Sequence, residues 1–252
     1  MTNSSLTAIS ATPAPQAHPC WSCGAMLAAP FCQTCGKVQP PAPVDFFTFF
    51  GLPRKLNVDV AALERGFYEL SRKLHPDLNA RAANKEQEWI LEQSSLLNDA
   101  YRTLKDPIKR TQYLLLLEGV ELEEQSKTAT DQARSTGVTK KQIVPPDLLE
   151  EVFDLNMQLE ELRMQKKMGE DDPALIEEIG RQKLELEEKY EALLRELRVH
   201  WKTWDRLIER EQASELVSED ERKQALDKMV DLLNRRNYIR NLVRDVSEAL
   251  ES

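Results

Sequence analysis

Glycine, histidine and long apolar runs are scarce in this sequence, and each shortage argues against a class of protein. With 8 glycines in 252 residues, the chain has few of the turn glycines that an all-β fold uses. No apolar run approaches the roughly 20 residues of a membrane-spanning helix. The 3 histidines are isolated from one another, and neither a glycine-rich phosphate loop nor a nucleophile–base pairing is visible. The sequence thus offers no enzyme active site of these kinds.

Positive charge is missing where targeting or nucleic-acid binding would need it. The net charge is −9 at pH 7, so we expect no wholesale binding to nucleic acid or to an anionic membrane. Met1–Ala17 has no Arg, no Lys and no apolar core, unlike a secretory signal. Its Ser, Thr and Ala content is that of a transit peptide, but the basic residues are absent. We therefore expect a cytoplasmic, bacterial protein rather than one of the mitochondrial matrix.

The sequence does have the composition of a soluble helical protein, with 41% hydrophobic and 31% charged residues. Changes in composition divide it into five predicted parts: a disordered tail at 1–19, a cysteine cluster with a proline-rich spacer at 20–43, a helical block at 44–119, a polar linker at 120–146 and a second helical block at 147–252. We predict an all-α fold.

All four cysteines fall in one short segment, as two CxxC pairs that are each followed by glycine: Cys20, Cys23, Cys32 and Cys35. A CxxC turn places two thiolates on one side of a metal ion, and two such turns complete the tetrahedral sulfur shell that zinc prefers. A segment this short cannot bury a core, so the metal would supply folding energy. We predict one structural zinc. Iron in its place, two disulfides and a redox-active pair are the alternatives.

The block at 44–119 predicts four helices. A short aromatic helix spans Asp45–Leu52, and a second helix begins after a cap at Asn57 and ends at His75, before Pro76. A third runs from Lys85 to Leu104. Asp106-Pro107 then has the form of an N-cap followed by proline at the first helical position, which opens the fourth helix.

The block at 147–252 predicts three amphipathic helices packed as an antiparallel bundle. Their starts are marked by Asp147, by the cap-plus-proline pair Asp172-Pro173 and by the capping box of Ser218 and Glu221. The first helix has a bundle stripe, and Leu149 and Phe153 form a second apolar stripe beside it. This pair either faces a partner or widens the core stripe, and periodicity leaves both interpretations open.

The tripeptide His75-Pro76-Asp77 is informative because of its setting. It follows an amphipathic helix, and Leu97-Asn98-Asp99-Ala100-Tyr101 and Asp106-Pro107-Ile108-Lys109-Arg110 come after it. Together these segments resemble the J-domain. The resemblance implies that His75, Pro76 and Asp77 stimulate ATP hydrolysis by a DnaK/HscA-type heat-shock chaperone. It also implies docking through the basic face of the preceding helix: Arg65, Arg72 and Lys73. Leu78 stands where J-domains often have Lys.

The segment Leu97–Gly119, the position of the J-domain and the acidic helical block after it resemble the HscB family of iron–sulfur co-chaperones. Cys20-Trp21-Ser22-Cys23-Gly24 resembles the start of the zinc module in animal members. The resemblance implies a non-enzymatic co-chaperone with an L-shaped fold of J-domain hairpin and three-helix bundle. It further implies that the bundle binds an IscU-type iron–sulfur scaffold. The implied contact residues are Leu148, Leu149, Val152, Phe153, Asn156, Glu160 and Tyr238.

Two other functions stay open on the sequence. A general J-domain co-chaperone would present other clients to the main heat-shock chaperone. A metal- or thiol-dependent oxidoreductase would need an open metal position or a reactive thiol, and a closed set of four cysteines argues against it. At Tyr238, packing in the core is an alternative to contact with the scaffold. Some HscB members have an acidic contact residue at the position of Asn156.

Overall fold

The computed structural model of the protein describes residues 18–27, 31–32, 34–79, 82–120, 122, 145–170 and 172–251. Most of the predicted tail and most of the predicted linker lie outside these residues. The chain divides into two compact units: Met1–Val120 with Trp204–Leu216, and Glu121–Thr203 with Val217–Ser252. Among the described residues, no helix has the length and apolar character needed to span a membrane.

The described part of the chain is almost wholly helical, which confirms the predicted fold class. Its α-helices are α1 (Phe46–Phe49), α2 (Val60–Lys73), α3 (Asn84–Lys105), α4 (Pro107–Leu117), α5 (Leu149–Met168), α6 (Pro173–Gln212) and α7 (Glu219–Glu251). Short 3₁₀ turns cover Pro76–Asn79 and Pro146–Leu148. Within the described ranges, β-structure is limited to the cysteine segment, where β1 (His18–Pro19) pairs antiparallel with β2 (Met26–Leu27) and Phe31 bridges Val38.

Helix α2 begins later than the sequence indicates, and the predicted cap at Asn57 is wrong. Asp59 is the N-cap, because its side chain accepts the backbone N–H of Ala62 at 3.0 Å. The Asn57 side chain instead donates to Asp205 at 2.7 Å. A partner 148 residues away in the sequence therefore decides the role of Asn57.

The core of the first unit lies between α1, α2 and α3. Its buried members come from α1, from the C-cap of α2, from α3 and from the end of the cysteine segment: Val38, Phe49, Leu74, Ile90, Leu97 and Ala100. Aromatic side chains of α1 pack around it, and Phe46 stacks on Tyr113 of α4 with ring centroids 4.3 Å apart. Burial of these apolar side chains is the main force that holds the hairpin of α2 and α3 together.

The last part of α6, from Trp204 onward, belongs to the first unit. Trp204 is fully buried, and its indole N–H donates to the carbonyl of Arg54 at 2.8 Å. Asp205 is 7% exposed and accepts the backbone N–H groups of Leu56 and Asn57 at 2.6 and 2.9 Å. Residues that were predicted to belong to the C-terminal block therefore hold the loop between α1 and α2 by hydrogen bonds.

The second unit contains α5, most of α6 and α7, as the three predicted amphipathic helices. Two of the three predicted helix starts are in place: Asp172 accepts the N–H groups of Ala174 and Leu175, and Ser218 and Glu221 form a reciprocal capping box. The start predicted at Asp147 is two residues early, because Asp147 lies in a 3₁₀ turn and α5 begins at Leu149. Each helix contributes a buried apolar stripe to the unit. Among its fully buried side chains are Leu155, Leu162, Ile179, Leu186, Met229 and Val246.

Candidate functional site

The His75-Pro76-Asp77 loop is exposed and held by local hydrogen bonds. It follows Leu74, which is fully buried, whereas the side chains of His75 and Asp77 are 54% and 88% exposed. The imidazole Nδ1 of His75 accepts the backbone N–H of Asp77 at 3.2 Å. Asn79 donates to the His75 carbonyl and to the carbonyl of the last α2 residue, both at 2.9 Å. The loop therefore combines a fixed backbone with polar side chains that a partner can reach.

The basic face of α2 consists of two exposed arginines and a lysine that pairs with a glutamate of the same helix. Arg65 and Arg72 are both exposed, and seven residues of helix place them on one face about 10 Å apart along the axis. Lys73 pairs with Glu69 at 2.7 Å, and this hydrogen bond lowers the pKa of the Glu69 carboxyl. Tyr68, 58% exposed, lies between the two arginines. This face offers two arginines and a tyrosine to an acidic partner.

The two motifs after the loop connect the helices of the hairpin. Tyr101 stacks on Phe67 with ring centroids 4.2 Å apart, and its hydroxyl donates to Glu64 of α2 at 2.9 Å. Arg110 is buried and donates to the carbonyl of Leu104 at the end of α3. Burial lowers the pKa of the Arg110 guanidinium, and the nearby acidic groups partly offset this. Tyr101 therefore holds α2, and with it the loop, against α3, and Arg110 holds α4 against the end of α3.

The four cysteines form a compact cluster of sulfurs. Their Sγ atoms all lie within 4.8 Å of one another, with Cys20 to Cys35 at 3.7 Å and Cys23 to Cys32 at 3.5 Å. A tetrahedral Zn–S₄ site with bonds of about 2.3 Å requires sulfurs about 3.8 Å apart. These separations fit a single metal ion held by four thiolates, and with all four sulfurs used such a site has no open position for chemistry.

Backbone hydrogen bonds prepare the two CxxC turns for that ion. The N–H of Gly24 donates to the carbonyl of Cys20, and that of Gly36 donates to Cys32 in the same way; both glycines have positive φ, at 75° and 72°. Burial raises the pKa of the Cys20 thiol, but hydrogen bonds from the backbone of Cys23 and Ser22 outweigh it and bring the pKa to about 6. The turn therefore favours the thiolate at Cys20, and a thiolate is the form in which cysteine binds a metal.

Gln39 joins the cysteine cluster to α3, a role that the sequence did not indicate. It is 1% exposed, and its side-chain amide donates to Cys20 Sγ at 3.4 Å. Its backbone carbonyl accepts a hydrogen bond from the side-chain amide of Gln93 of α3 at 2.7 Å. Beside it, Lys37 pairs with Glu86 of α3 at 2.9 Å. The cysteine module therefore packs against the same helix that supports the His75-Pro76-Asp77 loop.

The residues expected to contact a scaffold divide into exposed and buried sets. Leu149 and Phe153 on α5 are 60% and 64% exposed, so they are not part of the buried core of the second unit. Asn156 and Glu160 are exposed beside them. The remaining three predicted residues are buried, at 7%, 5% and 8% exposure: Leu148, Val152 and Tyr238. These three are placed to support the helices, and the exposed four form the accessible part of the predicted surface.

A cleft of about 310 Å³ lies in the second unit at the N-terminal end of α5. Leu148, Leu193 and Ile239 line it with apolar surface. Ion pairs between Glu151 and Lys189 and between Asp147 and Arg235 border it. Four of its five charged lining residues are therefore paired with one another, and the fifth is Glu196.

Comparison with known proteins identifies the first helical block. The sequence profile of the DnaJ domain matches residues 45–113, the segment that contains the exposed loop and its supporting motifs. These residues form a DnaJ domain. The J-domain predicted from His75-Pro76-Asp77 and its setting is thereby confirmed.

Curated relatives extend the similarity beyond the DnaJ domain. The chain is 35% identical over 143 residues to the iron–sulfur cluster co-chaperone HscB homolog of Arabidopsis thaliana, which is 56% of this chain and 51% of the relative. It is 31% identical over 157 residues to human HscB, covering 60% and 61%, and 38% identical over 111 residues to mouse HscB, covering 42% and 47%. The chain thus spans about half to three fifths of the length of these relatives.

Solved structures share the fold. The crystal structure of human co-chaperone HscB matches with a TM-score of 0.55 and 23% identity, covering 91% of this chain and 97% of that one. The chaperone HscB from Vibrio cholerae matches with a TM-score of 0.50 and 21% identity, covering 81% and 96%. The predicted resemblance to HscB co-chaperones is confirmed by these relatives in sequence and in fold.

Proposed function

We propose that this protein is a co-chaperone in iron–sulfur cluster biogenesis, without an enzymatic activity of its own. Its DnaJ domain stimulates ATP hydrolysis by a DnaK/HscA-type heat-shock chaperone through His75, Pro76 and Asp77. The exposed face of α5 binds an IscU-type iron–sulfur scaffold. The four cysteines hold one structural zinc ion.

The exposed pair Leu149 and Phe153 favours a scaffold-binding co-chaperone over a general J-domain co-chaperone. A helix that packs in a three-helix unit needs one apolar stripe, and α5 already has one in the buried face of Val152, Leu155 and Leu159. Large apolar side chains left 60% and 64% exposed on the same helix mark a binding surface. The similarity to HscB proteins supports a scaffold as the partner.

The chaperone half of the proposal is tested at the loop. Stimulation of the ATPase of the cognate heat-shock chaperone is measured with the native chain and with His75→Gln. Because the His75 side chain is exposed and the Asn79 side chain still donates to the carbonyls of Lys73 and His75, the variant is expected to keep its fold and lose at least about 90% of the stimulation. His200→Gln, the same substitution on α6, is the matched control. Native stimulation by His75→Gln would contradict the proposal.

The scaffold half is tested by capture of purified IscU-type scaffold on the immobilised chain. Leu149→Ala combined with Phe153→Ala removes the exposed pair and is expected to weaken capture at least about tenfold, as loss of apolar anchors does. The control removes two exposed apolar residues of α6, Leu184→Ala with Val199→Ala, which are 62% and 59% exposed. Capture unaffected by loss of Leu149 and Phe153, with chaperone stimulation intact, would favour a general J-domain co-chaperone.

A further inference from the structure

Exposed apolar side chains continue along α5 well beyond Leu149 and Phe153. Three methionines follow on the same helix: Met157, Met164 and Met168 are 59%, 57% and 64% exposed. At 100° per residue, the five side chains fall within an arc of about 100° on the side of α5 away from its buried residues. They form a row along one face of the helix, with the exposed Glu160 between Met157 and Met164, and we call this row the α5 stripe (Leu149, Phe153, Met157, Met164 and Met168).

The length of the α5 stripe matches what a stable interface needs. A standard interface buries about 800 Å² on each partner, which corresponds to a patch about 28 Å across. Leu149 and Phe153 are four residues apart, so together they extend over only about 6 Å of helix. From Leu149 to Met168 the helix rises about 28 Å. The first two residues cover only a small part of the length of such a patch, whereas the full stripe matches its length along α5.

The side chains along the stripe also define the chemistry of its partner. Glu150 is exposed at the N-terminal end, Glu160 is exposed near the middle and pairs with Arg163, and Lys167 is exposed next to Met168 at the other end. Methionine side chains are unbranched and polarizable, so they adapt to an irregular apolar surface. A matching partner has an apolar strip with a basic group near one end and an acidic group near the other.

We infer that the scaffold protein binds along the whole α5 stripe, with Met164 and Met168 as contacts at its far end. This inference rests on the proposed function, because it takes the partner at Leu149 and Phe153 to be the scaffold and follows the same face of α5 past Glu160, itself one of the predicted scaffold contacts. It adds contact residues that lie 11 to 15 positions beyond Phe153 in the sequence. The methionine end gives the interface its length and fixes the direction of the scaffold on α5.

The test measures scaffold binding to the full chain by titration calorimetry. Met164→Glu with Met168→Glu places carboxylates in the apolar contact and is expected to weaken binding at least about tenfold. Glutamate is a good helix former, and both sites are exposed, so circular dichroism and the melting temperature should stay near native. Met164→Leu with Met168→Leu keeps the apolar surface and is expected to bind within about threefold of native.

Matched variants on another helix control for charge. Leu184→Glu with Val199→Glu adds the same two carboxylates to α6 and is expected to leave scaffold binding unchanged. If the Leu149 and Phe153 variant weakens binding but the Met164 and Met168 glutamate variant does not, the extended contact is wrong and the proposed function stands. If neither variant weakens binding, both fail.

Self-association provides an independent check. If the α5 stripe were covered by a second copy of this chain, sedimentation would show a dimer that Met164→Glu with Met168→Glu dissociates. That result would overturn the inference, because the stripe would then be occupied before any scaffold binds. Scaffold binding by a monomeric chain, lost with the glutamate variant and retained with the leucine variant, supports it.

Discussion

At the scale of single residues, Asp205 shows how one carboxylate can organise a loop from a distance. It is buried, and it accepts hydrogen bonds from the backbone N–H groups of Leu56 and Asn57 and from the side-chain amide of Asn57. Buried backbone donors are costly to leave without an acceptor, and hydrogen bonds to a charged acceptor are the stronger kind. Asp205 therefore fixes the approach of the chain to α2, the helix that carries the basic face.

We predict that Asp205→Asn destabilises the first unit. The amide keeps one acceptor oxygen and turns its NH₂ group toward donors that the carboxylate satisfied. The expected loss is about 2–4 kcal/mol of unfolding free energy, measured by urea denaturation. The control is Glu209→Gln, which weakens the exposed pair between Glu209 and Lys55 and should cost less than about 1 kcal/mol. Equal costs for the two variants would contradict this role for Asp205.

Some residues of the candidate sites could be predicted from the sequence and others could not. The cysteines, His75 and Asp77 were predictable because short motifs carry their chemistry locally. Gln39 and Asp205 were not, because each acts on residues far away in the sequence and neither lies in a motif. The exposed methionines of α5 did leave a signal, since they continue the spacing of Leu149 and Phe153, but their exposure depends on which face the bundle buries.

At the scale of elements, Asp45 caps a helix of only four residues and is held charged by its surroundings. Its carboxylate accepts the N–H of Thr48 at 3.0 Å and pairs with Arg54 at 3.0 Å. Burial raises the pKa of Asp45, but these hydrogen bonds outweigh it and hold the pKa below the usual 3.8. A carboxyl whose pKa is lower in the folded state stabilises the fold above its unfolded pKa, and this contribution is lost as the pH falls through the folded value.

We therefore predict that the stability difference between the native chain and Asp45→Asn depends on pH. It should be largest and constant above about pH 5 and shrink as the pH falls below about 4, because the unfolded chain then takes up a proton that the folded carboxyl accepts only at lower pH. Urea unfolding at a series of pH values measures it. Asp99→Asn, a substitution of an exposed carboxyl on α3, is the control and should differ little from native at any pH. A constant difference for Asp45→Asn down to pH 2.5 would show that its charge has no part in capping.

Most helices were predictable as elements because their starts carry strong local signals. Asp106-Pro107, Asp172-Pro173 and the capping box at Ser218 each mark a helix start, and the structure has helices there. The start of α2 was predicted wrongly, since both Asn57 and Asp59 are competent caps and only the bond from Asn57 to Asp205 decides between them. Local chemistry thus predicted that a helix begins, and tertiary contacts decided where.

At the scale of the whole molecule, the division of the chain into units departs from its order in sequence. Residues 204–216 follow a long helical stretch without a break, so nothing in the sequence separates them from the C-terminal block. In the structure they belong to the first unit, through Trp204 and Asp205. Amphipathic periodicity shows that a helix has a buried face, but it does not show which unit buries that face.

The cysteine module belongs to the first unit and precedes the DnaJ domain in the sequence. We predict that its metal stabilises the DnaJ domain. Val38, three residues after the last cysteine, lies in the same buried cluster as Leu74, the residue before His75. Gln39 contacts both Cys20 and Gln93 of α3. A metal ion that binds only the folded module therefore stabilises a surface that is continuous with the core of the domain.

Metal analysis of protein purified without chelator should find about one zinc per chain, and chelation should lower the melting temperature of the first unit by at least about 10 °C. The fluorescence of Trp21, whose ring packs edge-on against Trp89 of α3 at 5.8 Å, reports on that unit. In Cys20→Ser the melting temperature should already be low and chelator should change it little further, which separates metal loss from side effects of the chelator.

Release of zinc without any change in melting temperature would show that the module folds independently of the DnaJ domain. A fall that native chain regains on adding zinc, and that Cys20→Ser does not regain, would establish that the four thiolates contribute to the stability of the helices that position His75 and Asp77.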